Sequence, residues 1–508
     1  MSLAIALTRA RIGLTAPLVT IETHLTPGLP AFGMVGLPET AVRESRERVR
    51  SAILNAGYTF PGRRITVNLA PADIPKEGTR FDLAIALSIL AASGQLRSGP
   101  LAQCEYAAEL ALTGELRPVR GLLPAALAAR AAGHALVCAG EDAAEATQCE
   151  GLQVFTARTL RDICGHIDGS QLLSPLARAP RPSQEDAPTG PDLADIRGQR
   201  TALRALEIAA AGGHNLLMVG PPGTGKTMLA SRLPGLLPAL PADLALVIAS
   251  IRSVANLPWA PDAWQRPPFR APHHTASAIA LIGGGSIPRP GEVTLAHGGV
   301  LFLDELPEFD RRVLEVLREP LENQRVTISR AARQTDFPAD FQLVAAMNPC
   351  PCGYAGDPSG RCMCAPERIA RYLSCISGPL LDRIDVQLEV AREPGWLGHA
   401  ETAPTITSAD VRTRVQATRA RQNSRQQCLN ARLPAAALPH VVPLNGAGRR
   451  LLEQAFTRFD LSPRTYHRLL KLARTIADLA DAERVSDAHV AEALQFRRLD
   501  LRRSESHP

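Results

Sequence analysis

The chain of 508 residues is too long for one hydrophobic core, so we expect about two to four domains. Its 45% hydrophobic and 21% charged residues are typical of a soluble globular protein, and its net charge of +6 is only a mild basic excess. No uninterrupted apolar run reaches membrane-spanning length, and the first ten residues lack the pattern of a secretion signal. We therefore expect a cytoplasmic protein without a membrane partner.

Residues 1–168 are predicted to form a first α/β domain. Apolar and polar side chains alternate at residues 19–22 and 65–69, as they do in half-buried strands. Apolar residues at helical spacing predict three helices, at 39–55, 81–92 and 122–132. The second of these is nearly all apolar, so we expect it to be buried.

Two stretches of this domain, residues 71–83 and 112–121, resemble the protease domain of Lon and its relative in RadA, which has a ribosomal protein S5 domain 2-like fold. In Lon a serine follows the lysine–acid–glycine run, whereas this chain has Thr79 and Arg80 there. Lon also has a lysine after the later glycines, and none follows Gly121 here. Without a nucleophile beside a base there is no mechanism for acyl transfer. The resemblance therefore implies a non-proteolytic module, for assembly or DNA contact.

Residues 169–191 are rich in Pro, Ser, Ala and Asp and are predicted to be an exposed linker. The next element is a predicted helix at 200–211, and it precedes a short apolar run at 215–219 that is typical of a buried parallel strand.

A phosphate-binding loop follows that strand and matches the pattern G-x-x-x-x-G-K-[ST] at every fixed position. It consists of Gly220, Pro221, Pro222, Gly223, Thr224, Gly225, Lys226 and Thr227. Glycines let backbone N–H groups close around phosphate oxygens, and a predicted helix start at 228–233 supplies the context that the motif requires. Lys226 can reach the β- and γ-phosphates, and the Thr227 hydroxyl can bind Mg²⁺. The loop predicts that the protein binds a nucleoside triphosphate.

A paired histidine, His273–His274, lies ahead of a glycine-rich stretch at 283–291. Paired histidines suggest metal binding, but no cysteine or acid lies near in sequence at ligand spacing. We expect instead a loop that contacts substrate or a neighbouring subunit.

Polar residues follow two further apolar strands. Asp304 and Glu305 come directly after the strand at 300–303, where ligands bind in open α/β sheets. Asp304 can hold magnesium, and Glu305 can polarise the water that attacks the γ-phosphorus. Asn348 ends a third strand at 343–347, where its amide can orient that water or touch the γ-phosphate. Alternatively, Asn348 caps the following turn.

Four cysteines, Cys350, Cys352, Cys362 and Cys364, form two C-x-C pairs separated by nine residues. Four thiolates can bind one tetrahedral Zn²⁺, which predicts a structural zinc that stiffens this loop. The alternative is that the cysteines are reduced and unliganded.

The C-terminal part contains arginines of two kinds. Arg383 lies between Asp382 and Asp385, where its guanidinium either stabilises charge on a transferring phosphoryl group or forms a surface ion pair with one of these acids. From about residue 408 the sequence predicts helices without strands. Five arginines without an intervening acid predict either a basic face for a polyanion or an ordinary solvated helix surface. They are Arg412, Arg414, Arg419, Arg421 and Arg425.

A later helix begins at Ser462 and Pro463, which have the N-cap and N1 preferences of a helix start. Arg464 projects near its beginning, where a lid could direct it at a nucleotide.

The order of phosphate loop, Asp304–Glu305 strand, Asn348 strand, late arginine and helices resembles an AAA+ ATPase. The long insertion before Asp304 and the run at 380–385 are similar to the magnesium-chelatase and MCM-like branch. With the Lon-like front domain and the stretch at 348–353, the chain is identified as a member of the ComM/YifB family.

The resemblance implies an α/β fold class with three parts. A Lon-protease-like (ribosomal protein S5 domain 2-like) domain without a catalytic dyad precedes an AAA+ P-loop NTPase core, and a C-terminal helical lid follows. The implied bounds are 1–168, a linker at 169–191, the core at 192–400 with a cysteine-rich loop at 350–364, and the lid at 401–508.

The family's activity is that of a hexameric, ATP-driven DNA motor, a branch migration helicase that acts in homologous recombination during natural transformation. The resemblance therefore implies ATP and Mg²⁺ as cofactors and branched or single-stranded DNA as partner. Lys226 and Thr227 would serve phosphate and Mg²⁺, and Asp304 and Glu305 would serve Mg²⁺ and water activation. By the same resemblance, Asn348 corresponds to sensor 1, Arg383 to the arginine finger, and Arg464 to sensor 2 with Arg468 as its rival. In related ATPases the segment corresponding to residues 195–199 lies against the adenine base.

Two other functions remain open from the sequence. One is a chelatase subunit that drives metal insertion into a porphyrin, although that family lacks the Lon-like front domain and the cysteine loop. The other is an AAA+ protein remodeller whose inactive protease-like domain binds a polypeptide. The complete set of ATPase residues argues against a non-enzymatic role.

Overall fold

The computed structural model describes residues 2–177, 190–285, 288–330, 333–392, 406–459 and 461–497. Most of the predicted linker lies outside these residues, as do Ser286 and Ile287 of the glycine-rich stretch and the segments at 393–405 and 498–508. The described chain divides into two compact units. The first contains the residues up to 177 together with Leu246–Trp264, and the second contains the remainder.

The first unit is built on a seven-stranded mixed sheet of order β3-β4-β2-β1-β5-β8-β9. The pairs β1–β2 and β2–β4 are antiparallel, and the other pairs of this sheet are parallel. Its strands are β1 (Leu3–Arg9), β2 (Leu18–Thr26), β3 (Ala31–Val35), β4 (Arg64–Ala70), β5 (Cys104–Ala107), β8 (Ala135–Ala139) and β9 (Val154–Ala157), and β6 (Glu109–Leu110) and β7 (Leu116–Arg117) form a separate antiparallel pair. The helices are α1 (Thr40–Arg43), α2 (Ser45–Asn55), α3 (Asp82–Ala92), α4 (Leu122–Ala132), α5 (Ala143–Ala146) and α6 (Leu160–Asp168).

The predicted central helix of this unit is confirmed, because every residue of α3 is buried. It packs on β1 and β2 in the core of the unit, which explains why it is apolar on all sides. The predicted strands at 19–22 and 65–69 are confirmed within β2 and β4, and the helix at 39–55 is broken at Glu44 into α1 and α2.

The second unit carries a five-stranded, all-parallel sheet of order β11-β14-β17-β10-β18. Its strands, with those of two hairpins, are β10 (Leu216–Val219), β11 (Phe269–Arg270), β12 (Gly283–Gly284), β13 (Arg289–Pro290), β14 (Val300–Leu303), β15 (Arg325–Arg330), β16 (Arg333–Pro338), β17 (Gln342–Met347) and β18 (Val386–Glu389). The three predicted strands of this region are confirmed as β10, β14 and β17. They are adjacent in the sheet, so their carboxyl ends meet at one edge.

In the described residues 406–497 the one β-type pairing is the isolated bridge between Leu444 and Val485. The α-helices from residue 200 onward include one that crosses from the second unit into the first. They are α7 (Arg200–Gly212), α8 (Lys226–Ala230), α9 (Leu233–Leu236), α10 (Ala242–Val254), α11 (Ala278–Ile282), α12 (Glu292–Leu295), α13 (Arg311–Glu315), α14 (Arg318–Asn323), α15 (Pro366–Leu373), α16 (Gly378–Leu381), α17 (Ser408–Gln426), α18 (Leu438–Val441), α19 (Gly446–Arg458), α20 (Pro463–Leu479) and α21 (Asp487–Gln495). The predicted cap is confirmed, because Ser462 accepts a hydrogen bond from the backbone N–H of Thr465. Among the described residues, no helix is both long and apolar enough to cross a membrane.

Residues 246–264 form an excursion that the sequence analysis did not foresee. The chain leaves the second unit within α10 and returns at Gln265, whose carbonyl accepts a hydrogen bond of 2.8 Å from the backbone N–H of Leu240. Within the first unit, Ala249, Trp259 and Trp264 pack in an apolar cluster with residues of α4 and β8. The segment therefore joins the core of the unit that precedes it in sequence.

Each of the five arginines of α17 has a hydrogen-bond or ion-pair partner within the second unit. Arg412 donates to the carbonyl of Gly235 (2.7 Å), and Arg419 donates twice to the carbonyl of Ala210 (2.6 and 2.9 Å). The other three pair with acids: Arg414 with Glu207, Arg421 with Asp481 and Arg425 with Asp478. These guanidinium groups hold α17 against its neighbours in the second unit, and the choice between a face for a polyanion and an ordinary solvated surface stays a prediction.

Candidate nucleotide-hydrolysis site

The phosphate loop leaves β10 at Val219 and ends where α8 begins at Lys226. Gly223 (φ +79°) and Gly225 (φ +82°) have left-handed backbones that favour glycine. A side chain at Gly220 would collide with the carbonyl of Val390, so this position also requires glycine. The backbone of residues 220–225 thus forms the tight turn that the motif predicts.

The Lys226 side chain lies over this turn. Its Nζ donates to the carbonyls of Gly220 (2.7 Å) and Pro221 (2.9 Å) and to Oδ1 of Asn348 (3.2 Å). Burial lowers the pKa of Lys226, while the nearby charges of Asp304 and Glu305 oppose that effect. The ammonium therefore occupies the position from which it can exchange carbonyl oxygens for phosphate oxygens.

The expected magnesium ligands lie together. The Thr227 hydroxyl donates to Oδ2 of Asp304 at 2.6 Å, although 77 residues separate them in sequence. The other oxygen of Asp304 accepts the backbone N–H of Glu305 at 2.9 Å. A hydroxyl and a carboxylate at this separation fit a hard cation that prefers oxygen ligands and binds with the phosphates of its nucleotide.

Glu305 stands at the same edge of the sheet with its backbone in the left-handed region (φ +52°), which is uncommon for a residue other than glycine. Its carboxylate oxygen Oε2 lies 3.2 Å from Nδ1 of His274, and the Glu305 side chain is 52% exposed. The neighbouring His273 stacks on His274, with ring centroids 4.1 Å apart, and its own Nδ1 faces the Thr275 hydroxyl at 2.9 Å.

Sequence reasoning missed this partner of Glu305. It assigned the two histidines to a loop that contacts substrate or a neighbouring subunit, and that assignment stays a prediction. His274 follows β11, and β11 pairs with β14, the strand that ends before Asp304. Only the strand order brings His274 to Glu305, and no spacing along the chain could have indicated it.

The three late arginines lie elsewhere in the second unit. Asn215, at the amino end of β10, donates through its amide to the carbonyl of Arg383 (2.8 Å), and its own carbonyl accepts the N–H of Asp385. The four residues of β10 separate Asn215 from Gly220 of the phosphate loop. The five steps from Asn215 to Gly220 span about 16 Å at 3.3 Å per residue. Arg383 therefore lies at the opposite end of the strands from this chain's own loop.

Arg383 is nearly buried, with 7% of its side chain exposed, and it pairs with Glu322 and donates to the carbonyl of Pro379 (2.6 Å). The expectation of a surface ion pair with Asp382 or Asp385 is therefore wrong in both partner and setting. Burial lowers the pKa of Arg383, and the Glu322 carboxylate opposes that effect. The role of Arg383 as an arginine finger remains a prediction, and it requires that the guanidinium leave Glu322.

The two candidates for sensor 2 differ in their surroundings. Arg464 is 52% exposed and lies 3.8 Å from Glu322. Arg468 forms an ion pair with the buried Asp385, which also accepts from His214 (3.1 Å). Although burial by itself would raise the pKa of Asp385, Arg468 and His214 hold it below its ordinary value. Arg464 is thus the more available of the two.

The four cysteines form a compact cluster in which all Sγ atoms lie within 4.8 Å of one another. The distances between Sγ atoms are 3.3 Å for Cys350–Cys352, 3.8 Å for Cys350–Cys362 and 3.7 Å for Cys352–Cys362. Four sulfurs bound tetrahedrally at 2.3 Å from zinc would be about 3.8 Å apart. The backbone N–H of Tyr354 and the Cys350 thiol lower the pKa of Cys352 to about 6, whereas, despite its hydrogen bond with the backbone of Cys364, the pKa of Cys362 is raised to about 11 by burial and by the Cys352 and Cys350 sulfurs. Among the described residues, this is the one group of cysteine, histidine or acid side chains with the geometry of a metal site.

Comparisons with known proteins cover both units. Residues 192–395 match the family model described as magnesium chelatase, subunit ChlI, and residues 405–497 match the model of its C-terminal part. Residues 21–142 match a model described as subunit ChlI of Mg-chelatase. The chain is 50% identical over 500 residues to the competence protein ComM of Haemophilus influenzae and 49% identical over 503 residues to YifB of Salmonella typhimurium, each covering 98% of both chains. It is also 28% identical over 184 residues to Lon protease 2 of Bacillus subtilis, covering 30% of this chain and 32% of that protein.

Proposed function

The chain belongs to the ComM/YifB family of magnesium chelatase-like AAA+ proteins, and from that membership we propose that it is an ATP-hydrolysing DNA motor. The observation that carries the ATPase part is the meeting of Lys226, Thr227, Asp304, Glu305 and Asn348 at the carboxyl ends of three adjacent strands. These are the groups that binding and hydrolysis of a nucleoside triphosphate require.

Each side chain has a role in the proposed hydrolysis. Lys226 transfers its hydrogen bonds from the loop carbonyls to the β- and γ-phosphates, and Asn348 orients the attacking water. Glu305 accepts a proton from that water as its oxygen bonds to the γ-phosphorus, and the bond to the departing ADP oxygen breaks with its electron pair on ADP. Thr227 and Asp304 would hold Mg²⁺, which neutralises charge on the phosphates when it is bound.

We further propose that the protein moves DNA as a hexameric ring. A relative that matches this chain over 98% of both lengths is named a competence protein, which supports a competence-related role and, with it, the proposed part in recombination during natural transformation. The position of Arg383, about a strand length from its own phosphate loop, supports a ring in which each subunit would offer this arginine to the next one.

A chelatase subunit is the main alternative, and one finding favours it. The front unit was expected to distinguish this chain from chelatases, yet residues 21–142 match a model described as a chelatase subunit. That expectation therefore carries no weight against the alternative. The cysteine cluster and the similarity to ComM over nearly the whole chain still favour the DNA motor.

The test is ATPase activity of the full chain without DNA and with single-stranded, duplex and four-way-junction DNA. We expect DNA to raise the ATPase rate, most of all with the four-way junction. The protein should also displace DNA strands, and the Lys226→Ala variant should not. Turnover that no DNA stimulates, together with an absence of DNA binding, would overturn the motor and leave only the ATPase. Stimulation by a porphyrin and Mg²⁺ instead would favour the chelatase alternative.

A further inference from the structure

The cysteine loop of residues 350–364 lies directly against the phosphate loop. Gly353 has a left-handed backbone (φ +85°), and a Cβ atom built on it would be 2.6 Å from Cδ of Pro222 and 3.8 Å from Cγ of Asn348. The absence of a side chain at Gly353 thus permits contact between its backbone and the proline ring. Pro222 is the second proline of the phosphate loop, and Asn348 hydrogen-bonds Lys226.

A second contact joins the same two loops. Arg392 donates to the carbonyl of Pro222 at 3.4 Å, and its guanidinium lies over the ring of Tyr354, 5.5 Å from the centroid. Arg361 lies over the same ring at 5.9 Å. Cation–π contacts of this kind fix the ring beside a cysteine ligand and connect it with the backbone of the phosphate loop.

The cysteines determine where Gly353 lies. Its N–H donates to the carbonyl of Cys350 (2.9 Å), and the N–H of Ala355 donates to the Cys350 sulfur (3.3 Å). Gly353 follows Cys352 directly, and the second cysteine pair closes the loop from the other side. A metal ion bound to all four sulfurs would cross-link both ends of this loop, whereas protonated thiols have no comparable bond between them.

We propose that Zn²⁺ bound to the four cysteines holds Gly353 against Pro222 and thereby sets the affinity of the phosphate loop for nucleotide. The inference rests on the proposed function only in requiring that the phosphate loop binds a nucleotide. Because coupling between two binding sites is reciprocal, bound nucleotide must in turn retain the zinc more tightly. The loop is then a regulatory contact, and zinc occupancy determines how tightly the phosphate loop binds nucleotide.

A matched pair of glycine variants tests the contact. Gly353 and Gly356 both have positive φ, +85° and +76°, but a Cβ at Gly356 would have no atom within 4 Å. Gly353→Ala and Gly356→Ala therefore impose the same backbone strain, and only the first disturbs Pro222. Both should keep one zinc per chain by elemental analysis, and both should give the cobalt-substituted spectrum of a tetrahedral thiolate site. Only Gly353→Ala should weaken binding of a fluorescent ATP analogue, by about tenfold, within the range of typical couplings.

Removal of zinc tests the coupling without a substitution at the contact. A zinc chelator that spares Mg²⁺, added to the wild-type protein, should weaken analogue binding to the same extent, and Zn²⁺ should restore it. Cys362→Ser should lose the metal and bind nucleotide as weakly as the stripped protein. The rate at which the chelator takes zinc should fall when the ATP analogue is present.

The outcomes separate this inference from the proposed function. A wild-type protein that carries no zinc and takes up none would overturn the metal site. Equal nucleotide affinity with and without bound zinc, or in Gly353→Ala and Gly356→Ala, would overturn the coupling. A zinc-loaded wild-type protein that binds no nucleotide at all would overturn the proposed ATPase instead. If Gly353→Ala failed to fold, the chelator experiment would still decide the question.

Discussion

Replacement of His274 by alanine should raise the basal ATPase rate, because it frees the carboxylate of Glu305. Oε2 of Glu305 lies 3.2 Å from Nδ1 of His274, an ion pair that forms when the imidazole is protonated. A carboxylate paired with a neighbouring cation is a weaker base toward the proton of a water molecule. The His274 side chain is 31% exposed and that of Glu305 52%, so the pair belongs to the exposed class, worth about 0.2–1 kcal/mol. Its loss should raise turnover about 1.5- to 5-fold, since 1.4 kcal/mol corresponds to a factor of ten.

The assay is steady-state release of phosphate at saturating Mg²⁺ and ATP, without DNA. His273→Ala is the matched control, because His273 faces the Thr275 hydroxyl rather than Glu305. It should leave the basal rate unchanged. Combination with Glu305→Gln should abolish the effect of His274→Ala, because the effect acts through that carboxylate. A slower His274→Ala enzyme, or an equal increase in His273→Ala, would refute the reasoning.

Three other outcomes are expected. Lys226→Ala should abolish binding of ATP, measured by equilibrium binding, whereas Glu305→Gln should bind ATP and hydrolyse it at least about a hundredfold more slowly; normal turnover of the second variant would remove the assigned role of that carboxylate. Rings made only of Arg383→Ala subunits should not hydrolyse ATP. Mixed rings that also contain Lys226→Ala subunits should recover part of the hydrolysis if the arginine of each subunit acts at the phosphate loop of its neighbour; the absence of recovery would contradict a role across subunits. Asp385→Asn should be less stable than the wild type at pH 7. A carboxyl group whose pKa is lowered in the folded state stabilises that state above its unfolded pKa of about 4, and this stability is lost as the pH falls. The variant should therefore lose less stability than the wild type between pH 5 and pH 3. Circular dichroism during denaturant unfolding at each pH measures this, and equal pH dependence in both proteins would contradict it.

Much of the site could be predicted from local sequence. The phosphate loop, the Asp304–Glu305 pair and Asn348 each follow a short apolar strand, and parallel strands bring their carboxyl ends together. The identity of the strands is therefore enough to predict that Thr227 and Asp304 meet. These predictions depend on residues that are close in sequence and on one general property of α/β sheets.

The remainder depended on packing between distant segments, which one sequence does not show. Glu322 is the partner of Arg383, although 61 residues separate them and nearer acids were available. No acid stands between the α17 arginines in sequence, yet their partners lie on α7, on α9, and on or just after α20. A helix with such a composition resembles a basic surface until the elements that pack against it are known.

The excursion at 246–264 also determines how this protein can be divided. The chain crosses between the two units three times, in the region of the linker, at 245–246 and at 264–265, so no single cut separates them. A fragment that begins at residue 190 would keep Trp259 and Trp264 but lose the apolar cluster of the first unit in which they pack. Such a fragment would expose these apolar side chains to solvent and is a poor choice for expression. The backbones of Leu240 and Gln265 already form a hydrogen bond. A fragment of the second unit should therefore have residues 241–264 replaced with a short linker between these two residues.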